Sequence, residues 1–159
     1  DPGEWKVWDE EDYTQTRSLL AAIAGEAAKR QGKEAFSKFF LALLTERHGG
    51  NRAPLNDNAV FLKIAGDSGL DTLQFEQDLK DPALVKIVAD DHTEATEIHG
   101  AFGTPTFIFD NGQSAYIKTF IPPENEALEA FENFLGLFSE RSYIGEVKRP
   151  QPPWPKGAV

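Results

Sequence analysis

The chain has 159 residues, a formal net charge of -10, and neither cysteine nor methionine. This length fits one domain, or one domain with a large insertion, and a 40% hydrophobic content supplies a genuine core. The acidity disfavours nucleic acid and anionic membrane surfaces as partners. The missing cysteine excludes disulfides, thiolate zinc sites and cysteine nucleophiles, and no apolar run is long enough to span a membrane.

Residues 1–13 are polar and aromatic, with Trp5, Trp8 and Tyr13, and read as an irregular arm rather than a signal peptide. The absent initiator methionine suggests processing or a missing N-terminal segment. From Thr14 the apolar period becomes helical. Leu19, Leu20, Ile23, Ala24, Ala27 and Ala28 form one stripe, and Gly32 ends it. A second helix from Lys33 places Phe36, Phe39, Phe40, Leu43 and Leu44 on one face, and Gly49-Gly50 stop it. Asn56, Asp57 and Asn58 offer caps for a third helix carrying Val60, Phe61, Ile64 and Ala65, closed by Gly69. Asp71 caps a short helix with Leu73 and Leu79. Asp81-Pro82 opens a fifth helix to about His99, with Leu84, Val85, Val88, Ala95 and Ile98 inward. The region 14–99 is therefore expected to be wholly helical.

The period then changes. Phe107 to Asp110, an Asn111-Gly112 turn and Ala115 to Thr119 predict a β-hairpin. Pro122-Pro123 closes it. A last helix from about Glu124 to Ser139 is expected to bury Leu128, Phe131, Phe134, Leu135 and Phe138. The tail from Lys148 carries four prolines and Trp154, which predicts an extended or polyproline arm. Its spacing also fits a proline-rich SH3 ligand, but an arm packed on its own domain or a mate is preferred.

Few residues carry candidate chemistry. His92 and His99 are seven apart, about 10.5 Å along a helix, too far to share a metal. Packing or interhelical hydrogen bonds are the expected roles. His48 suits a helix C-terminus. Gly66-Asp67-Ser68-Gly69 copies a serine-nucleophile string but sits where a helix should end. Asp90, Asp91, Glu94 and Glu97 read as a solvated face. No phosphate-binding glycine loop follows a strand.

Gly103-Thr104-Pro105-Thr106 is the most informative segment. It runs straight into an apolar strand, and proline is tolerated at a strand's first residue. An X-Pro bond can be cis at modest cost. Cis geometry there would bend the loop outward and leave backbone groups facing solvent, able to hold a peptide by its main chain. An ordinary trans loop proline is the plainer alternative.

The order of helical block, Gly103-Thr104-Pro105-Thr106, strand, tight turn, strand and amphipathic helix resembles the DsbA-like branch of the thioredoxin superfamily, over residues 14–140. The string from His92 through His99 to Phe109 carries the similarity most specifically. Within the branch it is similar to soluble bacterial members related to FrnE and the 2-hydroxychromene-2-carboxylate isomerases. The resemblance implies an α/β, thioredoxin-like fold of DsbA type. Residues 1–13 would be an arm, 14–99 a helical insertion, 100–140 the C-terminal half of the thioredoxin-like domain, and 141–159 a tail.

It implies thiol–disulfide oxidoreductase function, with the proline matching Pro105 cis and Thr104 matching the residue whose backbone pairs with substrate. Gly103, Thr104 and Pro105 are thus the expected substrate-binding residues. No catalytic residue, metal ligand or cofactor follows for this chain, because the family's Cys-x-x-Cys half has no counterpart here. That half spans some fifty residues before the helical block and is expected to belong to a longer protein; completion of the sheet by another chain is the alternative. Alone, the chain is expected to be inactive. The expected partners are protein or peptide thiols and disulfides, with no nucleic acid and no membrane, and the expected location is the cytoplasm. A non-catalytic interaction module, including a homodimer by strand-edge pairing, is one competing reading. A glutathione-dependent isomerase relative is another, although Tyr116-Ile117-Lys118 and Thr119 replace the Gly-x-Asp-Arg usual there.

Overall fold

The structure, a computed structural model, describes residues 6–10, 12–13 and 16–147. The expectations for the proline-rich tail from Lys148 and for Trp5 lie outside the described residues. The chain divides into two compact units, Asp1–His92 and Thr93–Val159.

The first unit is helical: α1 Arg17–Lys29, α2 Lys33–His48, α3 Asn58–Asp67, α4 Thr72–Asp78 and α5 Ala83–Thr93, whose last residue opens the second unit. Its helix starts follow from local chemistry. The Asp57 carboxylate accepts from the Ala59 N–H at 2.8 Å, Asp71 from Leu73 and Gln74 at 3.0 Å, and Asp81 from Ala83 at 2.9 Å. Each such cap is worth about 1 kcal/mol. Gly69 (φ +82°) ends α3 in a Schellman motif: its N–H reaches the Gly66 carbonyl, and the Leu70 N–H reaches that of Ala65. The protease-like string is therefore a helix stop.

Leu19, Ile23, Ala24, Ala27 and Ala28 of α1 meet Phe39 and Leu43 of α2, Phe61, Ile64 and Ala65 of α3, Phe75 of α4 and Leu84 of α5 in one buried core. The three alanines let neighbouring helices approach α1 closely. The Phe39 and Phe75 rings lie 5.2 Å apart. Burying each such ring contributes about 2–3 kcal/mol. The arm is less irregular than expected: Val7–Asp9 form a 3-10 turn, and Val7, Trp8 and Tyr13 pack against the core.

Two corrections concern helix faces. Leu73 is 73% exposed, and Phe75 is the buried residue of α4. Leu79 shares a face with Phe75 four residues before it, whereas Leu73 lies about 200° around the helix from Phe75. On α2, Phe39 and Leu43 are buried, while Phe40 and Leu44 face outward on the flank.

The C-terminal end of α1 is fastened twice. Arg30 donates to Asp78 at 2.7 Å and to Asp81 at 2.5 Å. Those carboxylates raise the Arg30 pKa, and the guanidinium, with the Ala83 N–H, holds the Asp81 carboxyl below its ordinary value. Next to it, the Gln31 amide donates to the Asp71 carbonyl at 2.9 Å and accepts from the Asp71 N–H at 2.8 Å.

In the second unit, the expected continuous helix to His99 gives way to a π-turn, Glu94–Ile98. One extra residue per turn breaks the α-helical face, so Ile98 is 74% exposed rather than inward. Strands β1 Thr106–Ile108 and β2 Ser114–Tyr116 pair antiparallel, with Thr106 opposite Tyr116, Phe107 opposite Ala115 and Ile108 opposite Ser114. Three residues, not two, make the turn: the Phe109 N–H bonds the Gln113 carbonyl, and Gly112 (φ +80°) closes it. A 3-10 turn, Glu124–Glu126, leads into α6 Ala127–Phe138. Phe107 packs on Phe134 and Phe131 of α6, with ring centroids 5.1 and 5.7 Å apart. Asn111 Nδ2 donates to the Ser139 carbonyl at 2.5 Å, pinning the turn to the helix end. The expected five-residue buried stripe on α6 reduces to Phe134. Leu128 is 70% exposed and Phe131 is 43% exposed, because two strands cover only part of the helix face.

Candidate functional site

The Ala101 N–H bonds the Ala95 carbonyl at 2.8 Å and closes the π-turn, from which the chain enters the loop Phe102–Pro105. Phe102, although largely exposed, lies against the Tyr116 ring with centroids 5.0 Å apart. The same ring explains the glycine at 103. A Cβ there would stand 2.9 Å from a Tyr116 ring carbon, closer than carbon atoms pack. The Gly103 carbonyl accepts from Thr106 Oγ1 at 2.6 Å, which ties the two ends of the loop across Thr104 and Pro105. The Thr104–Pro105 peptide bond is cis. The Pro105 carbonyl accepts from the Ile117 N–H at 3.4 Å and joins the hairpin ladder.

Gly103, Thr104 and Pro105 are thus held from three sides: by the Tyr116 ring, the Thr106 hydroxyl and the ladder. Thr104 and Pro105 are exposed. Among the described residues, no hydrogen bond engages the Thr104 N–H or C=O. The loop carries no carboxylate, imidazole or thiol. Chemically it can offer a main-chain donor and acceptor and an aromatic wall; it cannot itself supply a nucleophile or a base. Tyr116 and Phe102 are the site residues that sequence reasoning missed. Tyr116 becomes visible only through the strand register, which sets it opposite Thr106.

The other candidates stay apart from this loop's chemistry. The His92 ring meets Trp8 edge-on at 5.2 Å. His99 Nε2 stands 3.6 Å from Glu94 Oε1. That pairing was not foreseen, because an α-helix brings i and i+4 together whereas a π-turn brings i and i+5. Asp90 is bridged by Lys86 at 2.5 Å. Among the described residues, no group of three or more His, Cys, Asp or Glu side chains is arranged to hold a metal. No helix there is long and apolar enough to cross a membrane. In the first unit, an open groove of about 650 Å³ is lined by residues of α2 and α3, Leu41, Ala42 and Ile64 among them.

Comparison with known proteins places this geometry in a family. Over 107 residues the sequence is 33% identical to the ClpXP adapter protein SpxH of Bacillus subtilis (strain 168), a stretch covering 67% of this chain and 35% of that relative. The matched stretch is thus about a third of the relative's length. Residues 7–136 match the sequence profile of the DSBA-like thioredoxin domain, which takes in the helical unit, the loop, the hairpin and nearly all of α6. A mixed fold with a helical block, a small antiparallel sheet and a covering helix agrees with that match, and the chain belongs to the DSBA-like thioredoxin domain family.

Proposed function

We propose that this chain is the substrate-holding part of a DsbA-type thiol–disulfide oxidoreductase. In this reading, residues 14–99 are the helical insertion and residues 100–140 the C-terminal half of the thioredoxin-like domain, with an arm at 1–13 and a tail at 141–159. Gly103, Thr104 and Pro105 receive the main chain of a protein or peptide thiol or disulfide. The observation that carries the reading is the exposed residue Thr104, whose N–H and C=O make no hydrogen bond among the described residues, in a loop fixed by Tyr116 and Thr106. An extended peptide satisfies such groups by adding its own backbone alongside. The exchanging thiolate has to come from outside these residues, since the chain has no cysteine. The partners are proteins rather than nucleic acid or membrane, as the acidity favours. We place the protein in a bacterial cytoplasm, where cysteine-poor chains need no disulfide support.

A second reading has one observation in its favour: the relative SpxH is named an adapter protein, and adaptor function needs binding without thiol chemistry. The same loop would then hold a partner segment with no redox step.

Backbone amide shifts of the isotope-labelled chain test both readings. An extended peptide bearing one S-methylated cysteine is expected to shift Gly103, Thr104 and Thr106 first. Gly103→Val, whose Cβ strikes the Tyr116 ring, should weaken that binding about tenfold or more. Insulin reduction by the chain alone should be absent; measurable turnover overturns the oxidoreductase account. Equal binding of a sulfur-free peptide favours the adapter reading, and shifts confined to the α2–α3 groove reject both.

A further inference from the structure

Asn111 is the single asparagine in the sequence that precedes a glycine; the other five precede Arg52, Asp57, Ala59, Glu126 and Phe134. That pairing sets a carboxamide beside a backbone nitrogen that no neighbouring side chain screens. In the fold, both groups are held. Asn111 Nδ2 donates to the Ser139 carbonyl at 2.5 Å, and Asn111 Oδ1 accepts from the Gln113 N–H at 3.0 Å. The Gly112 N–H donates to the Phe109 carbonyl at 2.9 Å. The nitrogen able to attack the carboxamide is therefore engaged elsewhere, and the carboxamide itself is fixed by two partners.

The Ser139 bond also serves α6. Ser139 is the C-cap of that helix, and its N–H reaches the Leu135 carbonyl at 2.9 Å. Its own carbonyl lies at the negative end of the helix dipole, where a donor is favourable and an anion is not. The last turn of α6 holds no basic residue, and Arg141, the nearest cation in sequence, lies beyond it. Asp110 and Glu140 flank the two bonded residues in sequence. A carboxylate at position 111 would thus meet both like charge and the wrong end of a helix.

We propose that Asn111 is a self-modification site, closed while the hairpin turn is fastened to α6 and opened when the two part. Once released, the carboxamide is attacked by the Gly112 nitrogen as the proton of that nitrogen passes to hydroxide. The N–Cγ bond forms, the Cγ–Nδ2 bond breaks, and Nδ2 leaves as ammonia with a proton taken from water. Water then opens the cyclic imide and leaves aspartate or isoaspartate at position 111; nothing is oxidised or reduced. The ionised product has no donor for the Ser139 carbonyl, and its charge opposes return to the helix end. A transient opening is thereby made permanent. The site uses no thiol and is independent of either reading of the loop at Gly103, Thr104 and Pro105.

The test ages the protein at mildly alkaline pH and maps its peptides by mass spectrometry. Conversion is expected at Asn111 before any of the other five asparagines. Unfolding in urea should speed it about tenfold or more, because the fold withholds both reacting groups. Asn111→Gln, whose longer side chain does not close the five-membered ring, should abolish conversion at this position. Anion exchange separates the aged, more acidic form from its parent. In that form the amides of the last turn of α6 should exchange about tenfold faster, while those of α1 and α3 stay unchanged. Asn111→Asp should reproduce the faster exchange. No conversion at Asn111, conversion equally fast in folded and unfolded protein, or unchanged α6 exchange in the aged form would each overturn the proposal. Should Asn111→Asp fail to fold, the aged wild-type protein still decides.

Discussion

The two units treat similar side chains in opposite ways. In the first, Phe39, Phe61 and Phe75 vanish completely into a core shared by five helices. In the second, Ala115 and Phe134 are the buried hydrophobic residues among those described, and Phe102, Phe120 and Phe131 reach solvent. Helices can close a core using partners near in sequence, because each contributes a stripe and turns back on the last. A two-stranded hairpin has too little surface to cover one amphipathic helix and is marginal by itself. Among the described residues, the first unit closes its own core, whereas the second leaves much of its apolar surface uncovered.

The sharpest way to break this comparison is a pair of truncations. Phe39→Ala should cost about 3–5 kcal/mol in urea unfolding, the range for a fully packed ring. Phe131→Ala, half-solvated from the start, should cost about 1 kcal/mol or less. Equal losses would remove the distinction. Hydrogen exchange is expected to follow suit, with amides of α1 and α3 exchanging about 100-fold more slowly than those of α6. Gly69→Ala forces a left-handed φ on a Cβ-bearing residue and should destabilise the first unit by about 1–2 kcal/mol, without altering α6 exchange.

The smallest effect is acid sensitivity. Asp81 is held below its ordinary value by Arg30 and the Ala83 N–H, so its contribution is complete above the unfolded carboxylate value of 3.8 and is lost as pH falls through the lower folded value. Thermal melts of wild type and Asp81→Asn should therefore differ at neutral pH and converge in acid. A gap that widens in acid would reverse the sign.

Much of the helical unit was legible because its signals are local. Asp57, Asp71 and Asp81 each cap a helix within three residues, and Gly69 stops one through its own backbone. Leu73 misled because leucine marks hydrophobicity rather than direction, and only the angle to Phe75 decides. The π-turn at Glu94–Ile98 escaped because its residues favour an ordinary helix equally well. On α6, amphipathicity identified which face seeks cover, but the cover must come from elsewhere, so Leu128 and Phe131 could not be placed. At the site, Gly103, Thr104 and Pro105 stood out as chain punctuation. Tyr116 did not, since its role depends on a cross-strand register that no short string encodes.

The neighbouring fastenings of Arg30 and Gln31 have a consequence for how α4 lets go. That helix has seven residues, too few to persist unaided. Arg30 grips its far end and the cap of α5 through charge; Gln31 grips its near end through a neutral amide. Acid and salt act on the first grip and leave the second untouched. Under such stress α4 should loosen in one direction, from Asp78 backward, while Asp71 stays anchored: two adjacent residues give the segment a built-in order of release.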